Sequence, residues 1–256
     1  MTEEYLGISP RRLSMNRKSM LIVSVLVAAA LIIVATLIGL TMNEPADYAP
    51  VIDPANFVSQ IDNEFFPLSP GTVLIYEGTT AEGTEHIEVN VTFETKVILG
   101  VACVVVNDTV WVDGELAELT YDWYAQDVEG NVWYFGEDSK EYSGGVVVST
   151  EGSWEAGVDG AQPGIVMKAD PIVGDEYRQE YYKGEAEDMA EVLALNVTVD
   201  ITYETFVGCL QTKEWTPLEH GVVEEKYYAP GVGVVLEMMV EGGTDRVELV
   251  EIVLGS

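Results

Sequence analysis

The chain has 256 residues, and its 12 Lys and Arg stand against 44 Asp and Glu, so that its formal net charge is −32. A hydrophobic content of 48% is enough for a core and argues against a disordered acidic tail. The charge excludes ordinary nucleic-acid binding, which needs clustered Lys and Arg, and two histidines and two cysteines exclude zinc-finger, haem and iron–sulfur spacings.

The N-terminal part of the chain contains an uncharged apolar run, Met20–Leu40. A helix of about 20 such residues spans a bilayer. Basic residues between Arg11 and Lys18 precede the run and Glu44 follows it, which predicts a cytoplasmic N-terminus and an extracellular remainder. The alternative is a cleaved signal peptide, but its apolar region would be shorter, about 7–15 residues. The run therefore predicts a single-pass anchor in the cell membrane.

This prediction divides the chain into a cytoplasmic tail (1–19), a transmembrane anchor (20–42), a juxtamembrane segment (43–69) and an outer β domain (70–256). Beyond the anchor, 8 basic residues stand against 42 acidic residues, a formal charge of −34. Such self-repulsion destabilises a compact state unless salt or bound cations screen it. The acidity indicates either an adaptation for solubility or salt, or the binding of Ca²⁺ or other cations on the surface.

The juxtamembrane segment contains a helix start at Asp53-Pro54, an N-cap residue followed by a proline at the first helical position. Phe57 and Ile61 are four residues apart and would share one face of a short helix that ends near Asn63. We therefore expect a short juxtamembrane helix before the β domain.

The clearest strand pattern lies in the stretch 87–97, where apolar and polar residues alternate. The alternation places one set of residues on a core face and the intervening residues in water. The residues of the core face are Ile87, Val89, Val91, Phe93, Thr95 and Val97. Turns around Gly83, Gly114, Gly130 and Gly221 separate further strand-like stretches. These features predict an all-β, antiparallel outer domain.

An internal repeat organises that domain. Asn90-Val91-Thr92 lies 13 residues before Cys103, and Asn196-Val197-Thr198 lies 13 residues before Cys209. The repeat predicts two diverged copies, about 70–136 and 173–239, that pack on each other. A two-repeat sandwich or half-barrel would bury the apolar faces of both copies.

The two cysteines occupy matching places in the repeats, on the oxidising side of the predicted membrane. They could form a Cys103–Cys209 disulfide or remain two buried thiols that act as small apolar residues. A catalytic cysteine needs a partnered histidine, and neither His86 nor His220 stands in a nucleophile motif.

A weak calcium candidate lies in the stretch 122–131, where oxygen ligands surround a glycine turn. The same residues fit an ordinary hairpin turn. The candidate ligands are Asp122, Asp127, Glu129 and Asn131. Three glycosylation sequons begin at Asn90, Asn107 and Asn196.

Two further classes of site remain open. A hydrolase could use a pair of carboxylates, although nothing in the sequence selects one pair among so many acids. Tryptophans and tyrosines could line a sugar- or lipid-binding face, or they could be the large members of a β core.

Several motifs resemble a group of secreted or membrane-anchored prokaryotic β-rich proteins. They are FFPLSPGTVLIYEG, DWYAQDVEGNVWYFGED, GSWEAGVDGAQPGI and YYAPGVGVV, and the resemblance extends from Phe65 to Val250. The group has no established activity, so the resemblance implies an architecture and no catalytic residues. YYAPGVG is also similar to an element of lipoprotein-like domains that form an open sheet with an apolar concave face.

The sequence as a whole predicts a membrane-anchored envelope module that acts by binding or by structure and needs no cofactor. Its partner would be an envelope protein, an apolar ligand or cations. The alternative function is an extracellular hydrolase with a carboxylate pair.

Overall fold

The structure, a computed structural model, describes residues 48–255, and nearly all of their regular structure is β-sheet. A single short 3₁₀-helix, Pro54–Asn56, precedes the strands in this range. The sixteen strands are β1 (Phe57–Val58), β2 (Val73–Thr79), β3 (Thr84–Ile98), β4 (Val101–Val112), β5 (Glu115–Asp127), β6 (Val132–Ser143), β7 (Val146–Ser149), β8 (Trp154–Glu155), β9 (Gln162–Met167), β10 (Glu176–Arg178), β11 (Glu180–Tyr181), β12 (Met189–Asp200), β13 (Thr205–Trp215), β14 (Val223–Ala229), β15 (Gly233–Glu241) and β16 (Arg246–Val253). Residues 48–255 contain no helix that could cross a membrane, and the predicted anchor at 20–42 lies outside this range.

The strands form one antiparallel sheet, as the alternating sequence predicts. Thirteen of them lie side by side in the order β10-β12-β13-β14-β15-β16-β2-β3-β4-β5-β6-β9-β11. Strand β1 pairs with β5, and β7 and β8 both pair with β6. The all-β antiparallel prediction is therefore confirmed.

The sheet curves until its two ends almost meet. Its terminal strands β10 and β11 are separated in the chain by Gln179 alone. At this junction a Cβ on Gly164 would lie 2.3 Å from the carbonyl of Gln179, so only glycine permits the close approach of the two backbones. The sheet is thus barrel-like and nearly closed; the expected sandwich is wrong, and the curvature exceeds that of a half-barrel.

Each half of the sheet contains the same run of strands. The order β2-β3-β4-β5-β6-β9 in the first half matches β10-β12-β13-β14-β15-β16 in the second. Cys103 on β4 and Cys209 on β13 occupy corresponding strands, as the repeat offset requires. The two halves join where β16 pairs with β2.

The predicted turns all lie between antiparallel neighbours. Gly83, Gly114, Gly130 and Gly221 connect β2–β3, β4–β5, β5–β6 and β13–β14, respectively. The turn between β4 and β5 needs a left-handed backbone at two successive residues, since φ is +50° at Asp113 and +83° at Gly114. An Asp-Gly pair supplies this conformation at low cost.

The alternation predicted for β3 holds only in its first half. Ile87, Val89 and Val91 are buried, but Phe93 is 80% exposed and Val97 is 68% exposed. The register of β3 against β4 shifts between Val91 and Thr95, where the hydroxyl of Thr92 donates to the carbonyl of Val105. This bulge adds residues to one strand and exchanges the two faces beyond it.

The juxtamembrane helix is shorter than expected. The N-cap prediction is confirmed, because the side chain of Asp53 accepts a hydrogen bond from the backbone N–H of Ala55. The helix nevertheless ends at Asn56, and Phe57 turns extended to pair with Asp127 of β5. The Phe57 ring lies edge-on to Phe135, a contact that a continued helix would lose.

The residues that follow, 61–68, cover one end of the sheet. Ile61 and Leu68 form an isolated bridge, and the Phe66 ring packs against Tyr124 of β5 and Tyr228 of β14. The side chain of Asn63 accepts a hydrogen bond from the backbone N–H of Phe66, and its amide group donates to the carbonyl of Gly130. This segment therefore extends the apolar core across the end at which the β5–β6 turn lies.

Phe66 should be essential for closing that end. We expect Phe66→Ala to lower the free energy of unfolding by about 3–5 kcal/mol, because the ring is 3% exposed and its removal leaves a cavity. Phe93→Ala is the matched control, since that ring is exposed, and should change the stability little. Urea unfolding of both variants measures the difference, and equal effects would contradict a structural role for the segment.

Candidate functional site

Four acidic residues lie buried on strands β4, β5, β6 and β11, the first three of which belong to the first half of the sheet. Asp108 is on β4, Asp122 on β5, Glu137 on β6 and Glu180 on β11, each at most 2% exposed. Asp122 and Glu137 are direct cross-strand partners. We name these four residues the first-half cluster.

The first-half cluster has few hydrogen-bond donors. The hydroxyl of Tyr134 donates to Oδ1 of Asp122 at 2.7 Å, and the indole N–H of Trp154 donates to Oε2 of Glu180 at 2.9 Å. Both oxygens of Asp108, both of Glu137, Oδ2 of Asp122 and Oε1 of Glu180 are buried without a hydrogen-bond partner. A buried polar atom of this kind costs about 1–3 kcal/mol.

Burial shifts the protonation of these groups. It raises the pKa of Asp122 to about 8, against the lowering effect of the Tyr134 hydrogen bond. Burial first, and then the neighbouring carboxyls, raise the pKa values of Asp108, Glu137 and Glu180 well above their ordinary range. Burial therefore favours the protonated form of the carboxyls in the first-half cluster.

The corresponding strands of the second half carry a similar set of acids with a cation among them. Lys226 on β14, 7% exposed, places its Nζ 3.2 Å from Glu214, 3.5 Å from Glu237 and 3.9 Å from Glu224. We name these four residues the second-half cluster. Burial alone would lower the pKa of Lys226, but the three carboxyls together raise it well above its ordinary value.

The two clusters occupy equivalent positions of the repeat. Glu214 follows Asp108 by the offset of 106 residues that separates the two cysteines. Lys226 precedes Tyr-Tyr-Ala as Asp122 precedes Trp-Tyr-Ala, and the cross-strand pair Lys226–Glu237 matches the pair Asp122–Glu137. A carboxyl group thus stands in the first half where the second half has an ammonium group.

Other carboxyls lie between the clusters and the end of the sheet opposite residues 61–68. Glu118 and Asp188 are partly exposed, and the charges of their carboxyl groups contribute to the raised pKa of Glu137. Burial raises the pKa of Asp188 to about 7, although Lys226 lowers it, and burial raises the pKa of Glu85 to about 8. This end of the interior is acidic, and the other end is apolar.

Three residues of the predicted calcium site, Asp127, Glu129 and Asn131, share one hairpin turn, and Asp122 is not among them. Asp122 lies in the first-half cluster, whereas Asp127 accepts hydrogen bonds from the backbone N–H groups of Glu129 and Asn131 and from the Trp133 indole. Asp127 therefore holds a hairpin turn, which is the alternative interpretation of this stretch. Within residues 48–255 no three His, Cys, Asp or Glu side chains are grouped so as to hold a metal ion.

Both cysteines are buried free thiols. Cys103 on β4 and Cys209 on β13 are separated in the sheet by five strands, so the repeat places them in equivalent positions without pairing them. Burial raises the pKa of Cys103 to about 12, which keeps the thiol protonated and unreactive. The two-thiol alternative is the one that the structure contains, and the disulfide alternative is not formed.

The three sequon asparagines differ in their surroundings. Asn90 is partly exposed on β3, and Asn107 is partly exposed and donates to the carbonyl of Thr120. Asn196 is exposed on β12 in a left-handed conformation, with φ of +58°. Asn196 is therefore the most accessible of the three.

Several of the aromatic residues form core next to the first-half cluster. The rings of Tyr124 and Tyr134 stack at 4.8 Å, and Trp154 lies edge-on to Tyr134 at 5.4 Å. Outside this group, Lys96 lies 3.1 Å above the ring of Trp123. The core interpretation fits the buried rings, which do not form an open apolar face.

Sequence reasoning missed both clusters, although a signal for them exists. Asp108 falls in phase with Val104, Val106 and Val110 of the same strand, on the buried face. Glu214 falls in phase with Leu210 in the same way. An acid at an apolar position of a strand pattern is the feature that would have selected them.

Comparison with known proteins adds a similarity of fold. No protein-family model matches the chain, and no curated protein does. A protein described as exported, with a YmcC-like fold, from Bacteroides fragilis NCTC 9343 is 18% identical over 75% of this chain and 99% of its own, with a TM-score of 0.46. A protein described as a lipoprotein from Parabacteroides distasonis ATCC 8503 is 16% identical over the same shares, with a TM-score of 0.38.

Proposed function

We propose that the chain is a membrane-anchored envelope module that binds a ligand inside its barrel-like sheet and is not an enzyme. Residues 20–42 would hold it in the membrane, with the sheet on the outer side. The observation that carries the proposal is the first-half cluster, whose buried oxygens lack partners. Groups of this kind are retained where a ligand satisfies them, because they otherwise destabilise the fold.

The division of the interior supports binding from one end. Residues 61–68 cover the apolar end, and partly exposed carboxyls such as Glu118 and Asp188 lie towards the other. A ligand would enter past these carboxyls and reach the first-half cluster. Polar groups that converge within a mostly apolar enclosure are typical of small-molecule sites.

A hydrolase is the second candidate, since Asp122 and Glu137 are adjacent carboxyls with raised pKa values. Glycoside hydrolysis, however, requires one protonated and one ionised carboxyl, in contact with the substrate. Here burial raises both pKa values and encloses both groups. This arrangement favours binding over hydrolysis.

A thermal-shift screen tests the proposed function. The full chain in detergent is heated with small molecules of several classes: neutral sugars, fatty acids, carboxylic acids, simple amines and divalent metal ions. We expect at least one class to raise the melting temperature by several degrees, as binding to the folded state alone requires. Glu137→Gln should reduce that shift, and Glu94→Gln, at an exposed carboxyl on β3, should retain it.

The screen also separates the alternatives. A shift unaffected by Glu137→Gln would place the ligand elsewhere, and the absence of any shift would contradict a binding function. Turnover of a glycoside that stops in Glu137→Gln would establish the hydrolase instead.

A further inference from the structure

We propose that the ligand of the first-half cluster is a small organic amine, whose ammonium group takes the place that Nζ of Lys226 has in the second half. This inference rests on the proposed function and specifies its ligand. It is drawn from the comparison of the two halves of the same chain, since the second-half cluster holds an ammonium group among its acids and the first-half cluster holds none.

Glu214 of the second-half cluster shows what satisfies a buried carboxyl at this position of the fold. Glu214 is satisfied by Nζ of Lys226 at 3.2 Å, by the hydroxyl of Tyr228 at 2.7 Å and by the hydroxyl of Thr212 at 2.8 Å. One ammonium group and two hydroxyl donors thus surround a single acid. Charge-assisted hydrogen bonds of this kind are about twice as strong as neutral ones.

In the first half, no residue at the positions equivalent to these three donors forms a hydrogen bond to Asp108. The ammonium is replaced by the carboxyl of Asp122, and the repeat offset places Val106, which has no donor, at the position of Thr212. Tyr124 corresponds to Tyr228, but its hydroxyl is buried without a hydrogen-bond partner. Asp108 is also one methylene shorter than Glu214, and both its oxygens are unpartnered.

The chemistry of the first-half cluster selects an ammonium group over a metal ion. Within the described part of the chain, no three acidic, histidine or cysteine side chains are grouped for metal coordination. An ammonium group accepts wider spacing, as the distances of 3.2–3.9 Å around Lys226 demonstrate. Its three N–H donors suit the unpartnered oxygens of Asp108, Asp122 and Glu137.

Burial limits the size of the ligand. The cluster residues are at most 2% exposed, so the ammonium would be enclosed by protein. The adjacent Tyr124 and Tyr134 rings, stacked at 4.8 Å, offer apolar surface to a short alkyl chain. A free alkylamine of a few carbons fits these conditions. At the entrance, the partly exposed carboxyls of Glu118 and Asp188 would attract its positive charge.

Binding of n-butylamine to the full chain in detergent tests the inference at about pH 8, where the amine is cationic. Titration calorimetry should give saturable binding, and 1-butanol and tetramethylammonium should give none, because the first lacks charge and the second lacks N–H donors. Asp108→Asn should weaken binding about tenfold or more, because an amide cannot release a proton to become a carboxylate opposite the ammonium group. Glu94→Gln should bind like the parent chain.

The sharpest variant is Asp122→Lys, which supplies the first half with the ammonium that the second half already has. We expect this chain to melt at a higher temperature than the parent without amine, and to lose n-butylamine binding. If Asp122→Lys does not fold, the Asp108→Asn result decides by itself. Undiminished binding in a folded Asp122→Lys, equal binding of 1-butanol, or a response to Ca²⁺ alone would overturn the inference.

Failure here is distinguishable from failure of the proposed function. If the screen finds an interior ligand that is sensitive to Glu137→Gln and is not an amine, the binding function stands and the amine is wrong. If no ligand class is found, both are wrong.

Discussion

Replacement of Lys226 by methionine should lower the free energy of unfolding by about 3–5 kcal/mol near neutral pH, the usual cost of leaving one side of a buried ion pair uncompensated. Glu214, Glu224 and Glu237 would lose their shared cation, and the Tyr228 and Thr212 hydroxyls would satisfy only Glu214. Urea unfolding of the parent and the variant measures the loss.

Lys140→Met is the matched control for this experiment. Lys140 also forms a close ion pair, at 2.7 Å with Asp138, but both side chains are substantially exposed. Exposed pairs contribute little, so a change below about 1 kcal/mol is expected. Adding Glu214→Gln to Lys226→Met should restore part of the stability, because it removes an unpaired acid. Equal effects of the two lysine substitutions would contradict the role assigned to Lys226.

The second large effect concerns pH, and acid should stabilise this protein. Burial raises the pKa of Asp122 and of Glu85 to about 8 and that of Asp188 to about 7, whereas unfolded carboxyls titrate near 4. Between about pH 4 and 8 the folded chain therefore binds more protons than the unfolded chain, and its stability must fall as pH rises. The melting temperature should be higher at about pH 5 than at about pH 8.5, by on the order of 10 °C.

The carboxyls with lowered pKa values do not alter this sign. The pKa of Asp175 is lowered by its hydrogen bond from Lys168, and that of Glu248 by Thr202 and Arg246 against the raising effect of burial. The contribution of these two groups to the free energy of unfolding is lost only below about pH 4, where they become protonated. Calorimetric melting in buffers of constant ionic strength across this range provides the measurement.

Asp122→Asn identifies one source of the pH dependence. The amide has nearly the same shape and cannot ionise, so this variant should gain stability at about pH 8.5, change little at about pH 5, and show a smaller pH dependence. Glu94→Gln, at an exposed position, should follow the parent chain. A parent chain whose melting temperature rises with pH would contradict the protonation assigned to the buried carboxyls.

Local features of the fold could be predicted because each depends on a few neighbouring residues. The Asp-Gly turn at 113–114, the N-cap at Asp53 and the alternation from Ile87 to Val91 are all present. The internal repeat is matched by equal strand orders in the two halves. Glycine conformations, capping and period-two burial are properties of the local chain, so they can be read from it.

Other predictions failed where distant strands decide the outcome. The bulge near Thr92 depends on the register against β4, and it exposes Phe93, which strict alternation would bury. Pairing of Phe57 with β5 ended the short helix at Asn56. The free energy gained by packing against residues remote in sequence exceeds the small local preferences at these positions.

The sequence by itself determined the charge, the hairpins, the repeat and the antiparallel class of this protein. Only the tertiary structure decided that the sheet curves until it nearly closes, and that curvature places Asp108, Asp122, Glu137 and Glu180 in one buried cluster. The period-two pattern marks acids such as Asp108 and Glu214 as lying on a buried face, but it does not tell which of them meets a cation. The distances between strands that are remote in sequence set the burial of each carboxyl, and burial sets its charge.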